Sequence, residues 1–313
     1  MTAPRVTTDV DEALDVIVGG GLVAIPTETV YGLAADASNE AAVRRIFAAK
    51  GRPADHPLIV HVAAGEQLPV WADGVPPAAA TLAAFCWPGP LTLLVPRAAH
   101  VLDVVTGGRS TVGVRVPAHP LTTDLLTRFA GQRGTRVAGV AAPSANRFGR
   151  VSPTTAAHVV ADLGDAVDLV LDGGPCPVGV ESTIVDCSVS PPQVLRPGGI
   201  ATEEIERVLG VHVAPASGPS RAAGMMASHY APECPVLLAD DADAADRLAA
   251  GQRAPLVVGV GVDDVTYAQR LYEWLRSADT DGRSAVIAVM PPAAGLGHAI
   301  RDRLMKAAAH RAG

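Results

Sequence analysis

Lysine is almost absent from this chain. Only Lys50 and Lys306 occur in 313 residues, so arginine carries nearly all of the positive charge. With a formal net charge of −7, that argues against a broad nucleic-acid-binding face. It also makes Lys50 conspicuous where it falls. Cysteine is scarce too. Cys86, Cys176, Cys187 and Cys234 are scattered with no C-x-x-C pair, which excludes the common zinc and disulfide frameworks and leaves them as buried thiols. Aromatic stacking runs of the kind that grip single-stranded RNA are missing. No apolar run reaches transmembrane length, and Met1 to Asp9 lacks the apolar core of a secretion signal; the expectation is a soluble cytoplasmic protein with no membrane partner. Three catalytic signatures are also missing: G-x-x-x-x-G-K-[ST], G-x-S-x-G and H-E-x-x-H. A turn separates His56 from His61, so no protein-bound metal is expected.

A hydrophobic content of 49% with 18% charged residues describes a well-cored globular protein, long enough for two domains. The pattern is α/β. Asp11 to Val18 reads as an amphipathic helix ended by three glycines, and Leu22 to Pro26 as a buried strand. Asn39 caps a helix that Gly51 stops. Further strands are expected at Leu58 to Val62, Leu91 to Val95, Thr111 to Pro117, Val137 to Ala142, Val167 to Leu171, within Val180 to Asp186, and ending at Arg196. Further helices are expected at Pro76 to Phe85, Pro120 to Ala130, Thr154 to Leu163 and Thr202 to Leu209. From Ala214 the composition turns to Pro, Ser, Gly and Ala without periodicity, which predicts a linker over residues 214–233. It divides a domain of residues 1–213 from one of residues 234–313, where three strand–helix units predict a small doubly wound, Rossmann-like fold. Gly259-Val260-Gly261 does not complete a dinucleotide fingerprint.

Polar residues cluster in the loops. Ala141 to Pro153 holds two serines, an asparagine and two arginines between a strand and a helix, a suitable setting for an anion and equally for an ordinary polar loop. Thr27 and Thr29 follow a buried strand, either as turn formers or as ligands. Lys50 and Arg52 end a helix, where cations complement its dipole or clamp a phosphate. On the alternation of Thr111 to Pro117, Thr111, Gly113 and Arg115 share one face; an arginine there needs a partner, and an anionic ligand would serve. These loops contain no nucleophile–base pair. They suit the binding and positioning of anions, as in phosphoryl or nucleotidyl transfer.

The strings Pro26 to Leu33, Lys50-Gly51-Arg52-Pro53, Pro57 to His61, Trp87 to Thr92, Pro143-Ser144-Ala145-Asn146, Gly179 to Ile184 and Leu195 to Gly198 closely resemble the Sua5/YrdC/YciO family over about residues 9 to 210. His229-Tyr230-Ala231-Pro232 and Gly295 to Ile300 with Arg303-Leu304 resemble its longer, Sua5-type branch. The resemblance implies a YrdC-like twisted mixed sheet followed by a linker and a Rossmann-like domain. It implies synthesis of L-threonylcarbamoyl-adenylate and pyrophosphate from L-threonine, bicarbonate and ATP with Mg²⁺. The product would pass to the tRNA threonylcarbamoyl transferase machinery that modifies adenosine 37, with at most a weak tRNA contact. By the same resemblance, Thr29, His61, Arg115, Ala142 and Ser182 would surround threonine. Arg52, His56, Thr111, Ser144, Asn146, Ser152, Arg196 and Tyr230 would hold ATP, with Lys50 and Arg52 nearest the chemistry and the linker closing as a lid.

The chain departs from the family's pattern at three places. His56 stands where the family usually has Asn, Ala142 where a hydroxyl residue is common, and Gly224-Met225-Met226-Ala227 where Lys or Arg is usual. These leave open a relative acting on another amino acid or metabolite, or a non-catalytic RNA-binding module. Oligomeric state and the task of the C-terminal domain are not legible.

Overall fold

The computed structural model describes residues 4–133, 137–217, 222 and 230–309. Its strands are β1 Arg5–Thr7, β2 Val23–Ile25, β3 Gly32–Asp36, β4 Ile59–His61, β5 Leu91–Pro96, β6 Thr111–Arg115, β7 Val140–Ala141, β8 Leu169–Leu171, β9 Thr183–Asp186, β10 Gln193–Arg196, β11 Ala214–Pro215, β12 Val236–Ala239, β13 Pro255–Val258 and β14 Ala285–Val289. The first eleven make one mixed sheet in the order β1-β8-β2-β3-β7-β4-β6-β5-β9-β10-β11. The last three form a parallel sheet in the order β12-β14-β13.

Period-two alternation sorts the large sheet's side chains to two faces. Leu22, Ala24, Leu33, Ala35, Val60, Val112 and Val114 enter the principal core, with Ile46, Trp71 and Val159 from covering segments. Val23, Ile25, Ala34 and Val140 face the other way, against Leu14, Ile17 and Phe129. Helix ends follow local chemistry. Asp9, Asn39 and Thr155 each accept a backbone N–H at the start of a helix, and Gly51 closes Glu40–Lys50 in the left-handed conformation at φ 63°.

Several boundaries differ from expectation. Residues 32–36 are a strand, not part of the Thr27 loop, because Gly32 to Ala34 pair with β2 and Ala35–Asp36 with β7. The strand expected over Val137 to Ala142 is regular only at Val140–Ala141, wedged between β3 and β4. The helix expected from Thr154 begins at Ala156. The segment taken as linker opens with β11, whose two residues pair with β10, so it begins as a sheet edge. Arg5–Thr7 pairs with β8, a short exposed edge strand without a sequence signal.

The C-terminal sheet is covered on both faces. Helix Ala242–Ala250 packs Ala245 against Ile287, whereas Val286 and Ala288 meet helices Asp264–Thr280 and Gly297–Ala308. Helix Asp264–Thr280 also docks on the large domain. Val30, Val151 and Val180 share one apolar cluster with Tyr267, Leu271 and Tyr272. Gly179, at φ 80°, lies so close that a Cβ there would sit 2.3 Å from the Ala268 carbonyl oxygen. Among the described residues no helix is long and apolar enough to cross a membrane.

Candidate active site

A chamber opens on the face of the sheet opposite the principal core. Parallel pairing of β4 with β6 sets Ile59 beside Gly113 and His61 beside Arg115. Gly113 lets the strands pack closely there, since a Cβ would meet the Thr92 and Ile59 side chains. Thr27, Thr29, Val30 and Gly32 come from the β2–β3 segment, Ala142, Pro143 and Ser144 from beyond β7, and Glu181, Ser182 and Arg196 from the β9–β10 side. Arg52 and Tyr230 complete the lining. The structure thus brings together Thr29, Arg52, His61, Arg115, Ala142, Ser144, Ser182, Arg196 and Tyr230 from the expected set.

The loop threonines divide their tasks. Thr27 Oγ1 donates to the Val30 carbonyl at 2.6 Å and accepts from the Thr29 and Val30 amides, building the turn. Thr29 Oγ1 accepts from Arg115 Nη2 at 2.9 Å. The partner expected for Arg115 is not left to a ligand. Glu28 Oε1 lies 2.7 Å from Arg115 Nη2, and the other Glu28 oxygen accepts the Ala118 amide at 3.0 Å. Burial would raise the Glu28 carboxyl, but the Arg115 charge holds it below the usual range.

Ser182 is gripped from two sides. Its hydroxyl lies 2.8 Å from Thr92 Oγ1, and Arg196 donates to its carbonyl from Nε and Nη2 at 3.1 and 2.9 Å. Next to it, buried Glu181 accepts from Ser152 Oγ at 2.6 Å, Tyr272 at 2.8 Å and Arg303 Nε at 2.7 Å. Burial raises this carboxyl, but the charges of Arg303 and Arg196 outweigh it and bring it to about 2. Gly198 permits the two loops to touch; a Cβ there would be 2.3 Å from the Glu181 carbonyl oxygen.

Four guanidiniums, Arg52, Arg115, Arg196 and Arg303, face two carboxylates, Glu28 and Glu181, so the buried site carries net positive charge. Burial and then the Arg196 charge bring Arg52 down to about 10, with Tyr230 acting in the opposite sense; it remains cationic near neutrality. Its Nη2 donates to the Pro57 carbonyl, while its buried Nε has no hydrogen-bond partner among the described residues. His61 is pushed down to about 3, by burial first and the Arg115 charge second, and is therefore neutral. Its Nδ1 lies 3.3 Å from the Ile59 carbonyl, the pairing that leaves Nε2 as an acceptor.

Five expected site residues stand outside the lining. Lys50 is buried, and its Nζ donates to the carbonyls of Ser144 and Asn146; burial first and the Arg52 charge second push it well below the usual lysine range. That fastens the loop and takes the lysine away from a phosphate clamp. Asn146 Nδ2 closes the same loop on the Arg147 and Arg150 carbonyls. Ser152 is committed to Glu181. His56 sits at the rim, edge-on to Phe148, whose face Arg52 also approaches. Thr111 lies at the far end of β6, opposite Pro96. At the end of the Ala141 to Pro153 loop, Thr155 caps the following helix by accepting the His158 amide. Residues 224–227 and His229 lie outside the described residues.

Glu28, Thr92, Glu181 and Tyr272 have no site role in the sequence reading, and Arg303 stands there only as part of a family-like tail. Glu28 and Glu181 stand inside hydroxyl-rich strings, a usable hint, but their arginine partners come from distant segments.

Two family models match the chain. One, the Sua5/YciO/YrdC model described as telomere recombination, covers residues 15–198. The other, described as the threonylcarbamoyl-AMP synthase C-terminal domain, covers residues 200–309. A threonylcarbamoyl-AMP synthase of Pyrococcus abyssi is 42% identical over 93% of this chain and 92% of its own length. One of Bacillus subtilis is 41% identical over 93% and 90%. The crystal structure of P. abyssi Sua5 complexed with L-threonine superposes with a TM-score of 0.89 at 38% identity, covering 99% of this chain and 98% of that one. From the N-terminal mixed sheet to the last helix, the chain belongs to the Sua5/YrdC/YciO family, in its two-domain, threonylcarbamoyl-AMP synthase form.

Proposed function

We propose that the chain condenses L-threonine, bicarbonate and ATP into L-threonylcarbamoyl-adenylate and pyrophosphate. The observation that carries this reading is the convergence of Arg52, Arg115 and Arg196 with neutral His61, Thr29, Ser144 and Ser182 on one chamber. The threonine amine adds to the carbon of bicarbonate with loss of water. The resulting carbamate oxygen attacks the α-phosphorus, and the bond to the β-phosphate breaks to release pyrophosphate. An N-carboxy amine loses CO₂ readily, so an enclosed, largely dry chamber favours its capture.

Threonine fits the end lined by Thr29, His61, Arg115, Ala142 and Ser182. There Glu28 orients Arg115, and neutral His61 offers a lone pair to the substrate's amine or hydroxyl. ATP fits between Arg52, Ser144, Arg196 and Tyr230, where the orphaned Arg52 Nε can meet a phosphate oxygen. His56 and Thr111 would act only at the rim, and Lys50, Asn146 and Ser152 by holding the loop that presents Ser144. Tyr230 would border the nucleotide, and most of the expected linker lid lies outside the described residues. No group of three metal-ligating side chains occurs among the described residues, and both carboxylates at the chamber are engaged by arginine. Mg²⁺ would therefore arrive on the phosphates of ATP. The product would serve the threonylcarbamoyl modification of adenosine 37 in tRNA, in the cytoplasm.

The test is pyrophosphate release together with a mass spectrum of the product. Release that requires all three substrates, with the mass of threonylcarbamoyl-adenylate, is expected. A folded protein that releases none, or prefers another amino acid, refutes the assignment.

A further inference from the structure

The string at the C-terminal end of the chain that contains Arg303 has no place in the reaction described above. The structure gives it one. We propose that Arg303, on the C-terminal domain's last helix, is a positioning residue for the nucleotide half of the chamber; this rests on the proposed function. Its side chain is fully buried. Nε donates to Glu181 at 2.7 Å, and Nη1 donates to the Pro197 carbonyl at 3.0 Å. The guanidinium carbon lies 5.1 Å from the centre of the Tyr230 ring, which stacks on Tyr272 with centroids 5.8 Å apart. A single planar cation thus touches the segments that carry Ser182, Arg196 and Tyr230. Asp302 and Lys306 form an ion pair beside it, which anchors the guanidinium from its own helix.

The threonine end has separate supports. Arg115 is held by Glu28 and the Gly89 carbonyl, and His61 by the Ile59 carbonyl, all within the N-terminal domain. Ser182 is the one threonine-end residue whose segment Arg303 reaches, through Glu181, and its hydroxyl is held separately by Thr92 Oγ1 at 2.8 Å. Loss of the Arg303 fork should therefore disturb ATP far more than threonine. Lysine at this position keeps the charge but cannot bridge Glu181 and Pro197 at once.

The experiment titrates ATP and L-threonine, each alone, into the full chain, its Arg303→Lys variant and its Tyr272→Phe variant, with thermal unfolding recorded alongside. In Arg303→Lys the ATP Kd should weaken by roughly 10–100-fold, whereas the threonine Kd moves by less than about threefold. In turnover the KM for ATP should rise while kcat at saturating ATP is kept. Tyr272→Phe, which removes only a hydroxyl donor to Glu181, should move the ATP Kd in the same direction by less. It decides the matter alone if Arg303→Lys does not fold. Unchanged ATP affinity in a folded variant, or equal losses for both ligands with a lowered Tm, overturns the proposal. Wild-type protein that binds neither ligand overturns the functional reading instead.

Discussion

Glu28 lies 2.7 Å from Arg115, with both side chains nearly fully buried between the β2–β3 loop and β6. The pair holds the guanidinium at the chamber wall before any ligand arrives. Removing one member leaves the other charge buried and uncompensated, so Glu28→Gln is expected to destabilise the protein by about 3 kcal/mol at neutral pH. Urea unfolding measures this. A change below about 1 kcal/mol would show that water reaches the pair in solution.

Lys50 separates a structural from a chemical role. With its Nζ on the Ser144 and Asn146 carbonyls, Lys50→Met should lower stability by roughly 1–3 kcal/mol, because two buried acceptors lose their donor. ATP affinity should fall with it, through the loosened Ser144. A drop in kcat at unchanged Tm would instead restore Lys50 to the phosphate.

Gly198 marks the place where two chamber loops touch. A methyl group there meets only backbone, 2.3 Å from the Glu181 oxygen and 2.4 Å from Ser182 C and Thr183 N, so the loops must separate. Gly198→Ala should cost about 1–3 kcal/mol and weaken binding of both substrates. Binding at wild-type strength would contradict the close approach.

His61 makes stability depend on pH. Folding lowers its proton affinity from an ordinary 6.5 to about 3, so below pH 6.5 the unfolded chain takes up the proton first. Its stabilisation is complete above that pH and declines toward pH 3, by at most about 1.4 kcal/mol per pH unit. His158, pushed down to about 4 chiefly by burial, adds to the same decline. Glu181 contributes only below about 4.5. Urea midpoints between pH 6.5 and 5 should fall in the wild type and less steeply in His61→Gln. Parallel slopes would refute the assignment.

Much of this architecture was readable along the chain because its signals are local. Asn39 and Gly51 bracket their helix by capping chemistry alone, and helix Thr202–Leu209 falls on its expected bounds. The alternation of β6 correctly put Arg115 and Gly113 on the face opposite the valines. Short edge pairings such as β1 with β8 and β11 with β10 leave no signal in the sequence, since two or three residues carry no periodicity and depend on a partner far away.

Residue types and spacing by themselves pointed to the α/β class and the two-domain order, and the quoted strings carried the resemblance to the family. They also supplied the hydroxyls and arginines that line the chamber. Only the tertiary structure decided which cations line the chamber and which are engaged elsewhere. Charge pairing in a buried site depends on atoms a few ångströms apart in space, and Arg115 with Glu28, Lys50 with two carbonyls, and Arg303 with Glu181 are each joined across tens of residues or more.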